Sequence, residues 1–263
     1  MTATVAAGGV ELAYEEAGSG QPVVLAHGTA TGRSVWREVR EALGDGCRTI
    51  AYDRRGYGES EAPEPYGGTT VGEQADDLAE LIERLDAAPA VLCGAELGAL
   101  ACLDLVLRRP ELARAAVLVE PPVLWLVPDG SDAVSELREA VERGARDGGA
   151  GGAVTAFLEA TAGRRALELL GEERLAAARA APRPFGADVA AAASWPAGRR
   201  ELRSIAVPLT VIAGSRSEPA RLNAARSLAE LSPGAKLVEL DTGSMAHLED
   251  SAAVAAQISS ACA

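Results

Sequence analysis

The residue best placed to do chemistry is a glutamate at the sharpest turn in the sequence. Val91-Leu92-Cys93-Gly94-Ala95-Glu96-Leu97-Gly98-Ala99-Leu100-Ala101 reads as a short apolar strand, a tight turn and an apolar helix, with Glu96 two residues from a glycine on either side. Small residues at that spacing let strand and helix backbones pass close together. A carboxylate held there can take a proton from one substrate atom and return it to another, and a dry pocket favours the transfer. Elimination, double-bond isomerisation, intramolecular addition and cyclisation require no more of the protein. Covalent catalysis by Glu96 asks for more, because the resulting ester must be cleaved by an activated water. Other residues of suitable type follow apolar runs: His27, Glu120, Ser217, Ser244 and His247.

The elements that must position these residues alternate along the chain. Residues 10–16 alternate apolar and polar side chains, as a half-buried antiparallel strand does. Residues 23–26 form a continuous apolar run ending in His27-Gly28-Thr29, and residues 48–52 form another ending in Asp53-Arg54-Arg55-Gly56-Tyr57-Gly58-Glu59-Ser60. Such runs suit strands buried on both faces of a parallel sheet. Thr70-Val71-Gly72-Glu73 reads as a capping box opening a helix. Strand 90–93, helix 97–107 and strand 115–119 follow, the last halted by Glu120-Pro121-Pro122. Residues 123–206 break the alternation with amphipathic pieces at 153–162 and 167–180 and a hinge at Gly148-Gly149-Ala150-Gly151-Gly152. Alternation resumes with strand 209–213, helix 220–231, strand 236–240 and helix 252–261. The expected division is a core domain of residues 1–122 and 207–263 with a helical cap inserted at 123–206.

Composition narrows the function classes. With 263 residues and 48% hydrophobic content, one large α/β domain suffices. A formal charge of −13 opposes nucleic acid or an anionic membrane as partner. There is neither a basic segment followed by an apolar one at the N-terminus nor a run of eighteen apolar residues, which predicts a cytoplasmic protein. Cys47, Cys93, Cys102 and Cys262 lack the close pairing of a zinc site or disulfide framework and read as reduced thiols. No metal or phosphate motif occurs, so a cofactor-independent protein with a small-molecule substrate is expected. Oligomeric state is not written in the sequence.

Taken in order, His27-Gly28 after a strand, the run from Asp53 to Ser60, the Gly94/Gly98 turn, Pro110-Glu111 and Pro208-Leu209-Thr210-Val211-Ile212-Ala213-Gly214 resemble the α/β-hydrolase superfamily over nearly the whole chain. The resemblance implies an α/β-hydrolase fold, an eight-stranded, mostly parallel sheet with flanking helices and a helical cap over the C-terminal strand ends. It also implies a G-x-S-x-G nucleophile elbow, then an acid, then a histidine. All three positions are substituted. Glu96 replaces the serine, and Ser217 stands at the usual acid position, with Glu120 at the alternative one. Gly243-Ser244-Met245-Ala246-His247-Leu248-Glu249 is similar to the G-H-M-x-H-L-E run of proline-iminopeptidase-like members, with Ser244 at the catalytic histidine and His247 three residues beyond. The family's oxyanion hole maps onto the backbone N–H groups of Thr29 and Leu97, available to hold a substrate oxygen. His27 is expected to pack its loop, and Trp125 and Trp195, with Phe157 and Phe185, either to line an apolar pocket or to form the core of the cap.

Glu96 as general acid/base of a lyase, isomerase or cyclase acting on a small apolar metabolite, in specialised metabolism, is the leading expectation. The alternatives are a ligand-binding pseudoenzyme and an ester or epoxide hydrolase with Glu96 as nucleophile.

Overall fold

Six apolar runs become the parallel part of one eight-stranded sheet. The structure is a computed structural model and describes residues 2–195 and 197–263. In chain order the elements before the insertion are β1 (Thr2–Ala7), β2 (Val10–Ala17), β3 (Gln21–Ala26), α1 (Arg37–Leu43), β4 (Cys47–Tyr52), α2 (Val71–Arg84), β5 (Ala90–Ala95), α3 (Leu97–Arg108) and β6 (Ala113–Val119). The inserted helices are α4 (Gly130–Ala162), α5 (Arg164–Arg179), α6 (Pro182–Ser194) and α7 (Arg199–Leu202). The chain then returns to the sheet with β7 (Leu209–Gly214), α8 (Pro219–Leu231), β8 (Lys236–Leu240), α9 (Ala246–Glu249) and α10 (Ser251–Cys262).

The strand order is β1-β2-β4-β3-β5-β6-β7-β8, with β1, β2 and β4 joined antiparallel and β3 to β8 all parallel to β4. The chain leaves β3 for β4 on one side and returns to β5 on the other. The loops after β3 and β5 therefore diverge, and a crevice opens at their C-terminal ends, where open α/β sheets take ligands. Alternate residues of each strand face opposite layers. Val24, Ala26 and Leu92 pack toward α2 and α3, while Val23, Leu25, Val91 and Cys93 pack with Val39 of α1 and Val254 and Ile258 of α10.

Two features of the sequence reading change. The edge strand β1 was not legible, because its Thr2 to Thr4 stretch is exposed and carries no apolar alternation. At the start of α2, Thr70 Oγ1 accepts from Glu73 N at 3.0 Å, but the Glu73 side chain does not return the bond. It pairs instead with Arg55 and accepts from Thr69 Oγ1, since a guanidinium attracts a carboxylate more strongly than a neutral amide does. All four cysteines are free thiols.

Helix α4 is interrupted at Gly148 and Gly149, where φ/ψ leave the helical region. Gly144 and Gly152 then abut closely enough that a β-carbon on either would overlap the other's backbone, so the two halves of α4 fold back on each other. Phe157 and Leu158 of α4 and Phe185 of α6 join the sheet layer that contains Trp36 and Met245. Arg54, which follows β4, reaches Asp188 of α6 through two hydrogen bonds of 3.0 and 2.6 Å, and Tyr57 Oη donates to the same carboxylate at 2.8 Å. Both ion-pair partners are completely buried. Burial opposes the Arg54 charge, and Asp188 more than restores it. This pair ties the inserted helices to the sheet.

Removing one partner strands the other charge in the interior. Asp188→Ala is expected to lower the unfolding free energy by about 3–5 kcal/mol in a urea titration. Replacing both partners with apolar residues, as in Arg54→Met with Asp188→Leu, is expected to recover most of that loss.

Candidate active site

Glu96 sits between β5 and α3 with φ 48° and ψ −117°, a backbone conformation that non-glycine residues seldom adopt. Its surroundings enforce the bend. A β-carbon at Gly94 would overlap the Gly98 carbonyl, and one at Gly98 would overlap the carbonyls of Ala26 and His27. Glu96 N donates to Val119 O at 3.0 Å, which registers the turn against β6.

The carboxylate folds back on its own loop. Oε2 accepts from Leu97 N at 2.5 Å and from Thr29 N at 2.9 Å. These are the two amides expected to hold a substrate oxygen, and that expectation needs correcting. A glutamate is long enough to reach the donors itself, and two amides aimed at one point bind a carboxylate oxygen well. Oε1 accepts no hydrogen bond from the described residues, and no arginine pairs with Glu96 among them.

His27 holds the loop that supplies Thr29. Its Nε2 accepts from Arg54 N at 2.9 Å, which places the proton on Nδ1, and Nδ1 donates to Gly28 O at 2.8 Å. Burial, then the neighbouring Arg54 charge, holds this imidazole well below its ordinary range, so it stays neutral. Both ring nitrogens are committed.

Glu120 follows β6 with φ 51° and is buried. Oε1 accepts from Gly214 N at 2.6 Å and from Ser217 Oγ at 2.6 Å, and Ser244 Oγ donates to Ser217 Oγ at 3.1 Å. The structure thus brings Glu120, Ser217 and Ser244 into one relay of hydroxyls ending on a carboxyl. Oε2 of Glu120 is buried without a partner among the described residues. Burial pushes this acid above its ordinary value, although the two hydrogen bonds and Arg221 pull the other way.

Gly28, Thr29, Glu96, Glu120, Ser244 and His247 share the wall of one cavity of about 30 Å³ with Phe157, Leu158, Thr161 and Met245. That volume holds about one water. Arg221, in the first turn of α8, also lines it. The sequence reading missed this residue. The available signal was a cation in the turn of a helix where the macrodipole favours anions.

Two tryptophans expected in the wall stand elsewhere. Trp125 is 41% exposed and stacks edge-on with Trp195. Trp195 is buried on the far layer, where Nε1 donates to Asp104 Oδ1 at 2.8 Å. An indole N–H must find an acceptor when buried, and Asp104 of α3 draws it away from the cavity. Phe157 lines the cavity and Phe185 supports it from behind, with ring centroids 5.4 Å apart.

His247 packs on Trp36 with ring centroids 4.9 Å apart, and its Nδ1 is buried without a partner among the described residues. It makes no hydrogen bond to Glu96. Burial, then Arg174, depresses it from 6.5 to about 3. A histidine depressed on folding contributes stability that is fully present above its unfolded value and is lost as pH falls toward the folded one. Between pH 6.5 and about 3, wild-type protein is therefore expected to lose on the order of 4 kcal/mol that His247→Gln does not lose. Urea midpoints of the two proteins across that pH range measure the difference.

Residues 23–257 match the alpha/beta hydrolase family. Over 112 residues the chain is 38% identical to BpoC of Mycobacterium tuberculosis, which bears a non-heme bromoperoxidase name; the match covers 42% of each protein, less than half of that relative's length. A thermophilic esterase from Thermogutta terrifontis, solved with malate bound, superposes with a TM-score of 0.82 at 25% identity, covering 99% of this chain and 97% of the esterase. An enol-lactonase from Burkholderia xenovorans LB400 superposes at 0.78 with 24% identity, covering 98% and 99%. No helix among the described residues is long and apolar enough to cross a membrane. Matched over most of its length and folded as these relatives are, the chain belongs to the alpha/beta hydrolase family.

Proposed function

We propose that this member of the family is a cofactor-independent lyase, isomerase or cyclase in which Glu96 carries a proton between atoms of a small, largely apolar substrate. The observation that supports this reading is the double hydrogen bond to Glu96 Oε2. Ester hydrolysis through a tetrahedral intermediate needs donors for the developing oxyanion, and losing even one such donor costs about 10²–10³ in rate. Here both amides are engaged by the protein's own carboxylate. The same two bonds fix Glu96 in place and leave Oε1 for the substrate, as a positioned general base requires.

In this reading Oε1 takes a proton from an activated C–H or O–H bond. The released electron pair forms a new double bond or ring bond and displaces a leaving group or shifts an existing double bond. The proton then returns from Glu96 to another atom of the substrate or to the leaving group, which restores the carboxylate. Residues 1–122 and 207–263 act as the core and 123–206 as the cap. At about 30 Å³ the cavity has room for the reacting end of a substrate and not for the whole molecule.

Hydrolysis is the second reading, and the esterase and enol-lactonase names of the relatives favour it. Covalent attack by Glu96 would leave an adduct on that residue.

The two readings part in a direct experiment. With small cyclic ketones and enones in deuterated water, wild-type protein is expected to exchange acidic C–H positions at least about 100-fold faster than Glu96→Gln, followed by proton NMR. Equal rates across the panel overturn the acid–base reading. Intact-mass spectrometry after incubation with activated esters and epoxides is expected to find no adduct; one on Glu96 establishes the hydrolytic reading instead.

A further inference from the structure

The guanidinium of Arg221 lies on the cavity wall without an ion pair among the described residues. The residue is only 6% exposed, yet among the described residues its side chain makes no ion pair and no hydrogen bond. Buried charges are ordinarily paired. In this protein Arg54 and Arg55 follow that rule, on Asp188 and Asp77.

The two carboxylates nearest in sequence and charge are both committed elsewhere. Glu218 caps α8, accepting from Ala220 N at 2.9 Å and Arg221 N at 3.2 Å. Glu120 accepts from Gly214 N and Ser217 Oγ, and neither of its oxygens comes within the 4 Å of an ion pair with Arg221. Burial raises the Glu120 acid above its ordinary value while the Arg221 charge pulls it down, so the two groups feel each other without forming an ion pair. Glu96 is held by its amides and His247 is neutral; Glu136 and Glu218 line the outer groove with Arg221, Glu136 exposed and Glu218 engaged in its cap, and neither pairs with the guanidinium. The positive end of the α8 dipole beside Arg221 is met by the Glu218 carboxylate that caps it, not by a partner of the guanidinium.

Arg221 and Thr161 line two spaces at once, the inner cavity with Glu96 and an outer groove of about 270 Å³ between α4 and α8. We infer that Arg221 is an anion anchor at the junction of the two, and that the substrate carries a carboxylate which it binds while the reacting end reaches Glu96. The inference rests on the proposed role of the cavity as the substrate site and adds the chemical class of the molecule. Hydrocarbon flanking the carboxylate would lie against Leu124, Leu137 and Ala160 of the groove.

Isothermal titration with hexanoate and with hexanamide, a neutral molecule of the same shape, tests this without knowledge of the natural substrate. Wild-type protein is expected to bind hexanoate at least about tenfold more tightly, with the preference shrinking at high salt. Arg221→Gln is expected to bring the ratio close to one and Arg221→Lys to keep part of it, with thermal melts reporting that both variants fold. Equal affinity, or no binding of hexanoate, in wild-type protein overturns the inference, as does an unchanged preference in Arg221→Gln. The binding preference is read independently of turnover. Glu96→Gln is expected to retain it, so a failure of the acid–base role leaves the anchor standing, and a failure of the anchor leaves the acid–base role standing.

Discussion

A carboxylate oxygen held by two backbone amides is the interaction around which the cavity wall is arranged. The bend at residue 96 and the loop after β3 place the amides of Leu97 and Thr29 so that they converge on one point. In a fold of this kind such a point serves a substrate oxygen when the side chain at the bend is short. Glutamate is longer and bends back to the point itself. The one side chain at the bend therefore occupies the point on which the two amides converge.

That backbone is maintained by contacts away from the cavity. His27 joins the Thr29 loop to β4 by accepting from Arg54 N, and Arg54 joins β4 to α6 through Asp188. The amide that holds Glu96 and the helices that close over it are thus linked through a single arginine. A buried ion pair adds little net stability over apolar packing, but it fixes geometry where packing leaves freedom. Under the proposed reading fixed geometry is what Glu96 needs, because proton transfer tolerates little misplacement of the acceptor.

Much of this was legible in the sequence because it depends on local pattern. Continuous apolar runs located the parallel strands, Thr70 located the start of α2, and Gly94 and Gly98 located the bend, since close backbone approach admits little else. What escaped was set by side-chain reach and by contacts distant in sequence. Spacing placed the Thr29 and Leu97 amides but gave no sign that Glu96 would occupy them. Trp195 looked like a pocket residue from its position in the insertion, and only the fold brings Asp104 to its indole. β1 lies at an edge with its first residues in solvent, so it carries no periodicity to read. Arg221 lay within an ordinary amphipathic helix, and its isolation from every acceptor appears only when the neighbouring carboxylates are found bonded to something else.

The charges around the cavity have a common pattern once each is assigned. His247 is neutral because burial beside Trp36 keeps a second proton off its ring, and Glu120 is pushed toward its neutral form by burial. Glu96 is satisfied by dipoles and lacks an ionic partner among the described residues. Arg221 lines this wall without an ion pair or side-chain hydrogen bond among the described residues. A cation and a carboxylate facing one small space, neither in an ion pair among the described residues, would attract each other if they were free to meet; the turn at residue 96 and the first turn of α8 hold them apart. Under the proposed reading that separation orients the substrate. Its anionic end is drawn to Arg221, so the atom that gives up a proton is presented to Glu96 Oε1, and the reverse orientation sets two negative groups against each other in a space with little water to screen them.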